Sequence, residues 1–138
     1  MILQCTFEEL SVLNAVAERV LAAAGAGGVA APPQVISDIE ALTPRLTGDI
    51  SVESLAEVRS IQRAARYLLD DARERMDSFI LEHYPAAEQA VMAYFEYAHI
   101  LTFLDRADRI SAQMTALIEL MTGAPPTDET ARSVSFPD

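Results

Sequence analysis

The sequence contains no tryptophan and no lysine, and Cys5 is its only cysteine. A single cysteine cannot form a disulfide within the chain, so nothing indicates an oxidising compartment. The N-terminus lacks the basic segment and apolar stretch of a secretory signal peptide. No apolar run reaches the ~18 residues that a membrane-spanning helix requires. These absences predict a cytoplasmic protein.

Basic residues are also scarce, since ten arginines stand against twenty-one acidic residues and the net charge is −11. Nucleic acids and anionic membrane surfaces bind clusters of cations, and the sequence contains no such cluster. We therefore expect neither nucleic acid nor membrane as a partner. Arginine forms forked pairs with carboxylates, which favours ion pairs along helices, although the codon bias of a GC-rich genome explains the absence of lysine equally well.

Glycine and proline are confined to a few places, which leaves long segments without a helix breaker. Thr6 and Glu9 have the spacing of a capping box, and apolar residues then recur every three or four positions up to the glycines at 25–28. A short second helix is predicted after Pro33, and Pro44 stops or kinks it. The N-terminal part of the chain therefore predicts two helices of modest length.

Two long helices make up the rest of the predicted fold. The third helix begins at Ser51, which we predict to be its N-cap. Because proline fits the first turn of a helix but not its interior, Pro85 indicates a tight turn at 83–85. The fourth helix then runs from Ala86 until Gly123, about 37 residues or roughly 55 Å. The predicted fold class is all-α, a long antiparallel helical hairpin with two shorter N-terminal helices.

The fourth helix carries a coiled-coil pattern, in which apolar residues lie alternately three and four positions apart over three heptads. We call this pattern the predicted seam, and we expect all its members except the alanine to lie in the interface of a homo-oligomer. The predicted seam consists of Ile100, Phe103, Ala107, Ile110, Met114, Leu117 and Met121.

The length of the hairpin predicts a partner. A first helix of some 18 residues spans roughly 27 Å, so the two shorter helices are too short to cover both sides of a hairpin about 50 Å long. The simplest cover is a second copy, which would complete the bundle as a two-fold dimer. Two alternatives stay open at this point: a compact monomer in which a long helix breaks and folds back, and a different protein that fills the same groove.

Glu96 and His99 form a Glu-x-x-His motif, the spacing that presents a carboxylate and an imidazole together in di-iron carboxylate bundles. A di-metal site needs two such motifs and two further glutamates, but the chain has a single motif, so a dimer would have to supply the second. Two interpretations follow. Glu96 and His99 bind iron or another divalent metal between subunits, or they pair with arginine or tyrosine side chains.

The residues after Gly123 are rich in proline and small polar types. Such a composition is typical of an extended or disordered segment. We therefore predict one helical-bundle domain over residues 1–122 and a flexible tail over residues 123–138.

No catalytic motif stands out, because Cys5 has no histidine near it in the sequence and no Gly-x-Ser-x-Gly occurs. The sequence favours a non-enzymatic helical interaction protein that needs no cofactor and acts as a homo-oligomer: a scaffold, adaptor, small chaperone or regulatory subunit. Another protein is a further possible partner. The alternative function is a ferritin-like metal-binding or oxidase protein whose sites form between subunits through Glu96 and His99.

Overall fold

The computed structural model describes residues 1–27, 31–81 and 87–136. These residues form five α-helices, one two-stranded antiparallel sheet and a short 3-10 turn at Thr43–Arg45. The helices are α1 Phe7–Gly25, α2 Pro33–Leu42, α3 Leu55–Leu81, α4 Ala87–Thr122 and α5 Asp128–Ser133, and the strands are β1 Ile2–Leu3 and β2 Ile50–Ser51. Within these ranges, no helix has both the length and the apolarity to cross a membrane.

The two long helices pack against each other, as the sequence predicts. α3 has 27 residues and α4 has 36, about 54 Å, and both are continuous. They run antiparallel: Gln62 of α3 donates to Asp108 of α4 at 2.6 Å, whereas Asp71, later in α3, shares a partner with Glu96, earlier in α4. The alternative in which a long helix breaks and folds back is therefore wrong for the described residues. The turn predicted at 83–85 lies outside them.

The capping box predicted for α1 is confirmed. The hydroxyl of Thr6 accepts a hydrogen bond from the backbone N–H of Glu9 at 3.1 Å, and the Glu9 carboxylate accepts one from the backbone N–H of Thr6 at 2.8 Å. Two of the backbone donors that a helix start leaves unpaired are thereby satisfied.

The beginning of α3 differs from the prediction, because Ser51 does not cap it. Ser51 lies in β2, which pairs with β1 and buries Leu3 and Ile50 in the core. The helix starts later, where the hydroxyl of Ser54 accepts a hydrogen bond from the backbone N–H of Glu57 at 3.3 Å. Pairing with β1, which is far away in sequence, keeps Ser51 extended. The sequence does not predict these strands, because two residues are too few to show an alternating pattern.

The core forms where α1 packs against both long helices and α2 packs against α3. The largest fully buried apolar side chains are Leu3, Leu13, Val16, Ile39, Ile50, Leu55, Leu68, Ile100, Phe103, Met114 and Ile118.

The segment after α4 contains a helix where the sequence indicates an extended or disordered chain. The hydroxyl of Thr127 caps α5 by accepting from the backbone N–H of Thr130 at 3.3 Å. Ala131 and Phe136 are buried, and the backbone N–H of Phe136 donates to the carbonyl of Glu53 at 2.7 Å. A cap and two apolar side chains outweigh the polar composition of this segment. The division into a domain over 1–122 and a flexible tail stays a prediction.

Candidate interaction surface

Glu96 lies inside the bundle and pairs with an arginine. The guanidinium of Arg19 in α1 lies 3.4 and 3.2 Å from the two carboxylate oxygens of Glu96, and its other terminal nitrogen lies 2.9 Å from Asp71. Partial burial opposes the charge of Arg19, but the hydrogen bond to Asp71 and the contacts with Glu96 outweigh it and raise the pKa of Arg19. One side chain therefore joins α1 to both long helices.

His99 has a different set of contacts. Its Nδ1 lies 2.8 Å from the carbonyl oxygen of Phe95, which can only accept, so Nδ1 is the protonated nitrogen in this contact. The imidazole also packs on the ring of Phe95, with the centroids 4.1 Å apart. Glu96 and His99 are therefore held separately, one by α1 and the other by its own helix.

The metal-site interpretation finds no ligand cluster in a single chain. A catalytic zinc ion, for example, takes three protein ligands, and di-iron bundles take more. In the described part of the chain, no three His, Cys, Asp or Glu side chains lie close enough together to hold an ion. A site between subunits that uses Glu96 and His99 stays a prediction.

A second buried carboxylate, Glu9, connects α1 to α4. Thr102 donates to it at 2.6 Å, and the guanidinium of Arg106 forms an ion pair with it. Arg106 also donates to the backbone carbonyl of Gln4 at 3.0 Å. Burial works against the ionised form of Glu9, but the hydrogen bonds from Thr102, Thr6 and Arg106 outweigh it and lower the pKa below its ordinary value.

A third buried carboxylate, Asp38, connects α2 to α3. The guanidinium of Arg63 binds it through two nitrogens at 2.8 and 3.2 Å, and the hydroxyl of Ser60 donates to it at 2.8 Å. Burial opposes the charge here too, and these hydrogen bonds hold the pKa of Asp38 below its usual range. Each of the three buried carboxylates thus has an arginine from another helix. These carboxylates act as structural contacts between helices.

Cys5 has the environment of an unreactive thiol. Its sulfur lies 3.5 Å from the carbonyl oxygen of Leu3. Burial and the nearby charges of Glu9 and Asp49 raise the pKa of the Cys5 thiol to about 11. The thiol is therefore protonated at neutral pH, and the thiolate is the reactive form.

The predicted seam lies mostly in the core of the single chain. Ile100, Phe103 and Met114 are fully buried, and Ile110 is half-buried. Of the predicted interface residues, Leu117 and Met121 are the two with clear exposure, at 39% and 62%. Ile100, Phe103 and Met114 therefore lie within the core of a single chain, and their place in an interface stays a prediction.

The periodicity explains why the predicted seam leaves the core at its far end. A heptad pattern repeats every 3.5 residues, whereas a straight helix turns once in about 3.6, so the pattern drifts by about 20° per heptad. Eighteen residues make five full turns of a straight helix, so position 118 lies on the same side of α4 as the buried Ile100. Ile118 is fully buried there, while its neighbour Leu117 is exposed.

The solvent-facing side of α4 is unusually apolar. Residues spaced three or four apart, with a mean step of about 3.6, follow one side of the helix over about 44 Å. We call this side the α4 outer stripe. It consists of Val91, Tyr94, Ala98, Leu101, Asp105, Arg109, Ala112, Ala116 and Leu120.

Large apolar side chains lie at both ends of the α4 outer stripe. Val91 and Tyr94 are 65% and 63% exposed, and Leu120 is 83% exposed. Its centre carries two charges, Asp105 and Arg109, whose side chains form no ion pair or hydrogen bond with any other described residue. Exposed apolar side chains grouped on one side of a helix are a feature of interaction sites, whereas single exposed apolar residues are ordinary.

The coiled-coil pattern alone does not indicate the α4 outer stripe, because that pattern selects the side of α4 with the larger side chains. The three alanines were the available signal, since an outward-facing helix side normally carries charged or amide side chains. No family model, curated protein or solved structure matches the chain. The candidate functional site is therefore defined by the surface of α4 alone.

Proposed function

We propose that this chain is a non-enzymatic helical interaction protein that acts as a homo-oligomer through the solvent-facing side of α4. The observation that carries the proposal is the α4 outer stripe, a helix face about 44 Å long with a single pair of charges. Scaffold, adaptor, small chaperone and regulatory subunit are the roles that such a surface serves.

The interior of the bundle supports the non-enzymatic part of the proposal. The carboxylates of Glu9, Asp38 and Glu96 are each occupied by an arginine from another helix. A general acid or base needs a group that can exchange its proton with a substrate, whereas these carboxylates are engaged in ion pairs between helices. The raised pKa of Cys5 likewise supports a structural role for this thiol.

The charge of the chain supports protein as the class of partner. At a net charge of −11, the chain repels nucleic acid and anionic lipid surfaces. A cytoplasmic location belongs to the same proposal and is supported by the single cysteine.

The mass in solution tests the proposal. Sedimentation velocity of the full chain, over concentrations from about 1 to 100 μM, is expected to show a particle with a multiple of the chain mass of 15.0 kDa. The fraction of the larger particle is expected to rise with concentration. A particle of one chain mass at every concentration would contradict the homo-oligomer.

A further inference from the structure

We infer that the α4 outer stripe binds a second copy of this chain in an antiparallel arrangement. The two-fold axis of this dimer is perpendicular to α4 and lies at the level of residue 107 along the helix. This inference rests on the proposed function and specifies its interface. In this arrangement, residues equally distant from position 107 on opposite sides lie against each other across the interface. Such a contact is isologous, so each copy contributes the same surface.

The central charges favour this register. Asp105 and Arg109 are exposed, lie on the same side of α4, and have no ion-pair partner among the described residues. The two-fold axis places Asp105 of each copy opposite Arg109 of the other, which forms two reciprocal ion pairs. A parallel pairing in register would instead place each charge against its own copy and would be repulsive.

The other charges near the centre of α4 do not compete for these positions. Asp108 accepts from Gln62 at 2.6 Å and lies 3.5 Å from Arg66 of α3. Arg106 is held by the buried carboxylate of Glu9 and by a backbone carbonyl. Both groups already have an ion-pair partner within their own chain.

The same register pairs residues of similar kind at four further positions of the α4 outer stripe, whereas Leu101 lies opposite the exposed Gln113 and Val91 opposite Gly123. Tyr94 of one copy lies opposite Leu120 of the other, so the two largest exposed groups bury each other at both ends. Ala98 lies opposite Ala116, and Ala112 lies opposite the exposed Thr102. Small residues along the middle allow the two helices to approach closely, and the aromatic and leucine contacts at the ends anchor the interface.

Charge reversal tests the central pairs. Asp105→Arg places like charges together at two symmetric positions and is expected to raise the dimer dissociation constant about tenfold or more. Arg109→Asp is expected to do the same. The double variant Asp105→Arg with Arg109→Asp regenerates both pairs with reversed polarity, and its dissociation constant is expected to return to within about threefold of the original value.

Asp70→Arg provides the matched control. Asp70 is exposed on α3 and has an arginine, Arg66, four residues away, so this substitution makes the same change in net charge and creates the same kind of like-charge helical neighbour. It is expected to leave the dissociation constant unchanged. Thermal melts of all variants show whether the fold is retained. If Asp105→Arg leaves the dimer as stable as Asp70→Arg does, the central ion pairs are excluded.

Cysteine cross-linking tests the direction of the pairing without weakening the contact. In a Cys5→Ser background, the double variant Ala98→Cys with Ala116→Cys is expected to form disulfide-linked dimers. An equal mixture of the two single variants is expected to give linked dimers as well. Residues 98 and 116 are about 27 Å apart along one helix, too far for a disulfide within a chain.

The outcomes separate the inference from the proposed function. Linked dimers from either single variant alone would indicate parallel pairing and overturn the antiparallel arrangement. An unlinked double variant that still sediments as a dimer would overturn this interface and leave the homo-oligomer intact. A particle of one chain mass at every concentration would overturn both.

Discussion

At the scale of single residues, the main feature of this protein is a set of buried carboxylates paired with arginines. An isolated carboxylate in a core is strongly destabilising, yet Glu9, Asp38 and Glu96 are all buried. Each is paired with an arginine, and no buried polar side-chain atom in the described residues lacks a hydrogen-bond partner. The arginine content predicted ion pairs along helices, but not these pairs, because a carboxylate and an arginine up to 97 residues apart share no pattern in the sequence.

Glu9→Gln is expected to lower the free energy of unfolding by roughly 1–3 kcal/mol at neutral pH, because Arg106 loses its ionised partner. The amide preserves the length of the side chain, so helix α1 still has an acceptor at its start. Urea denaturation monitored by circular dichroism measures the change. Glu8→Gln, an exposed neighbour in the same helical turn, is the control and is expected to change stability by less than about 0.5 kcal/mol.

The same variant tests a pH dependence. The pKa of Glu9 is lowered in the folded state, so its contribution to stability is fully present above its ordinary value of about 4.3 and is lost as the pH falls through the lower folded-state pKa. Glu9→Gln is therefore expected to lose less stability than the original protein between neutral pH and pH values below about 4. Parallel stability curves over that range would contradict this account of Glu9.

At the scale of secondary-structure elements, helices could be predicted where breakers and caps mark their ends. The capping box of α1 and the uninterrupted length of α4 are of this kind. The start of α3 could not be predicted, because Ser51 pairs with the N-terminal strand β1 instead of beginning the helix. The inward side of α4 could be predicted only near its middle, since a 3.5-residue pattern and a 3.6-residue helix diverge with distance.

Ile118→Ala and Leu117→Ala form a matched pair that tests the position of the inward side of α4. Ile118 is fully buried, so its truncation is expected to lower the free energy of unfolding by about 2–5 kcal/mol. The change expected for the partly exposed Leu117 is below about 1.5 kcal/mol, because less apolar area leaves the core. Chemical denaturation measures both. A larger loss from Leu117→Ala would mean that the heptad pattern, and not the helical period, sets the packing.

At the scale of the whole molecule, Arg19 supports one of the two interpretations of Glu96. The sequence could not decide between a metal site and an ion pair, because the deciding residue comes from another helix. In the structure Arg19 contacts both Glu96 and Asp71. The contact joins three helices and gives Glu96 a role that does not depend on a second subunit.

A double-mutant cycle and a metal assay separate these interpretations. Glu96→Gln and Arg19→Gln are expected to be coupled by about 0.5–3 kcal/mol in unfolding free energy, since each removes the same contact. His99→Gln is expected to show no coupling to Arg19→Gln. Elemental analysis of the purified oligomer checks for metal directly: about one iron per chain, lost in both Glu96→Gln and His99→Gln, would favour the metal site.

The beginning of α3 is where distant parts of the chain come together. The backbone N–H of Val52 donates to the carbonyl of Met1 at 2.8 Å, and the N–H of Phe136 donates to the neighbouring carbonyl of Glu53 at 2.7 Å. During synthesis the bond between Val52 and Met1 can form once residue 52 has left the ribosome, whereas the bond from Phe136 to Glu53 has to wait for residue 136. The two sides of this junction therefore become available at different times during synthesis.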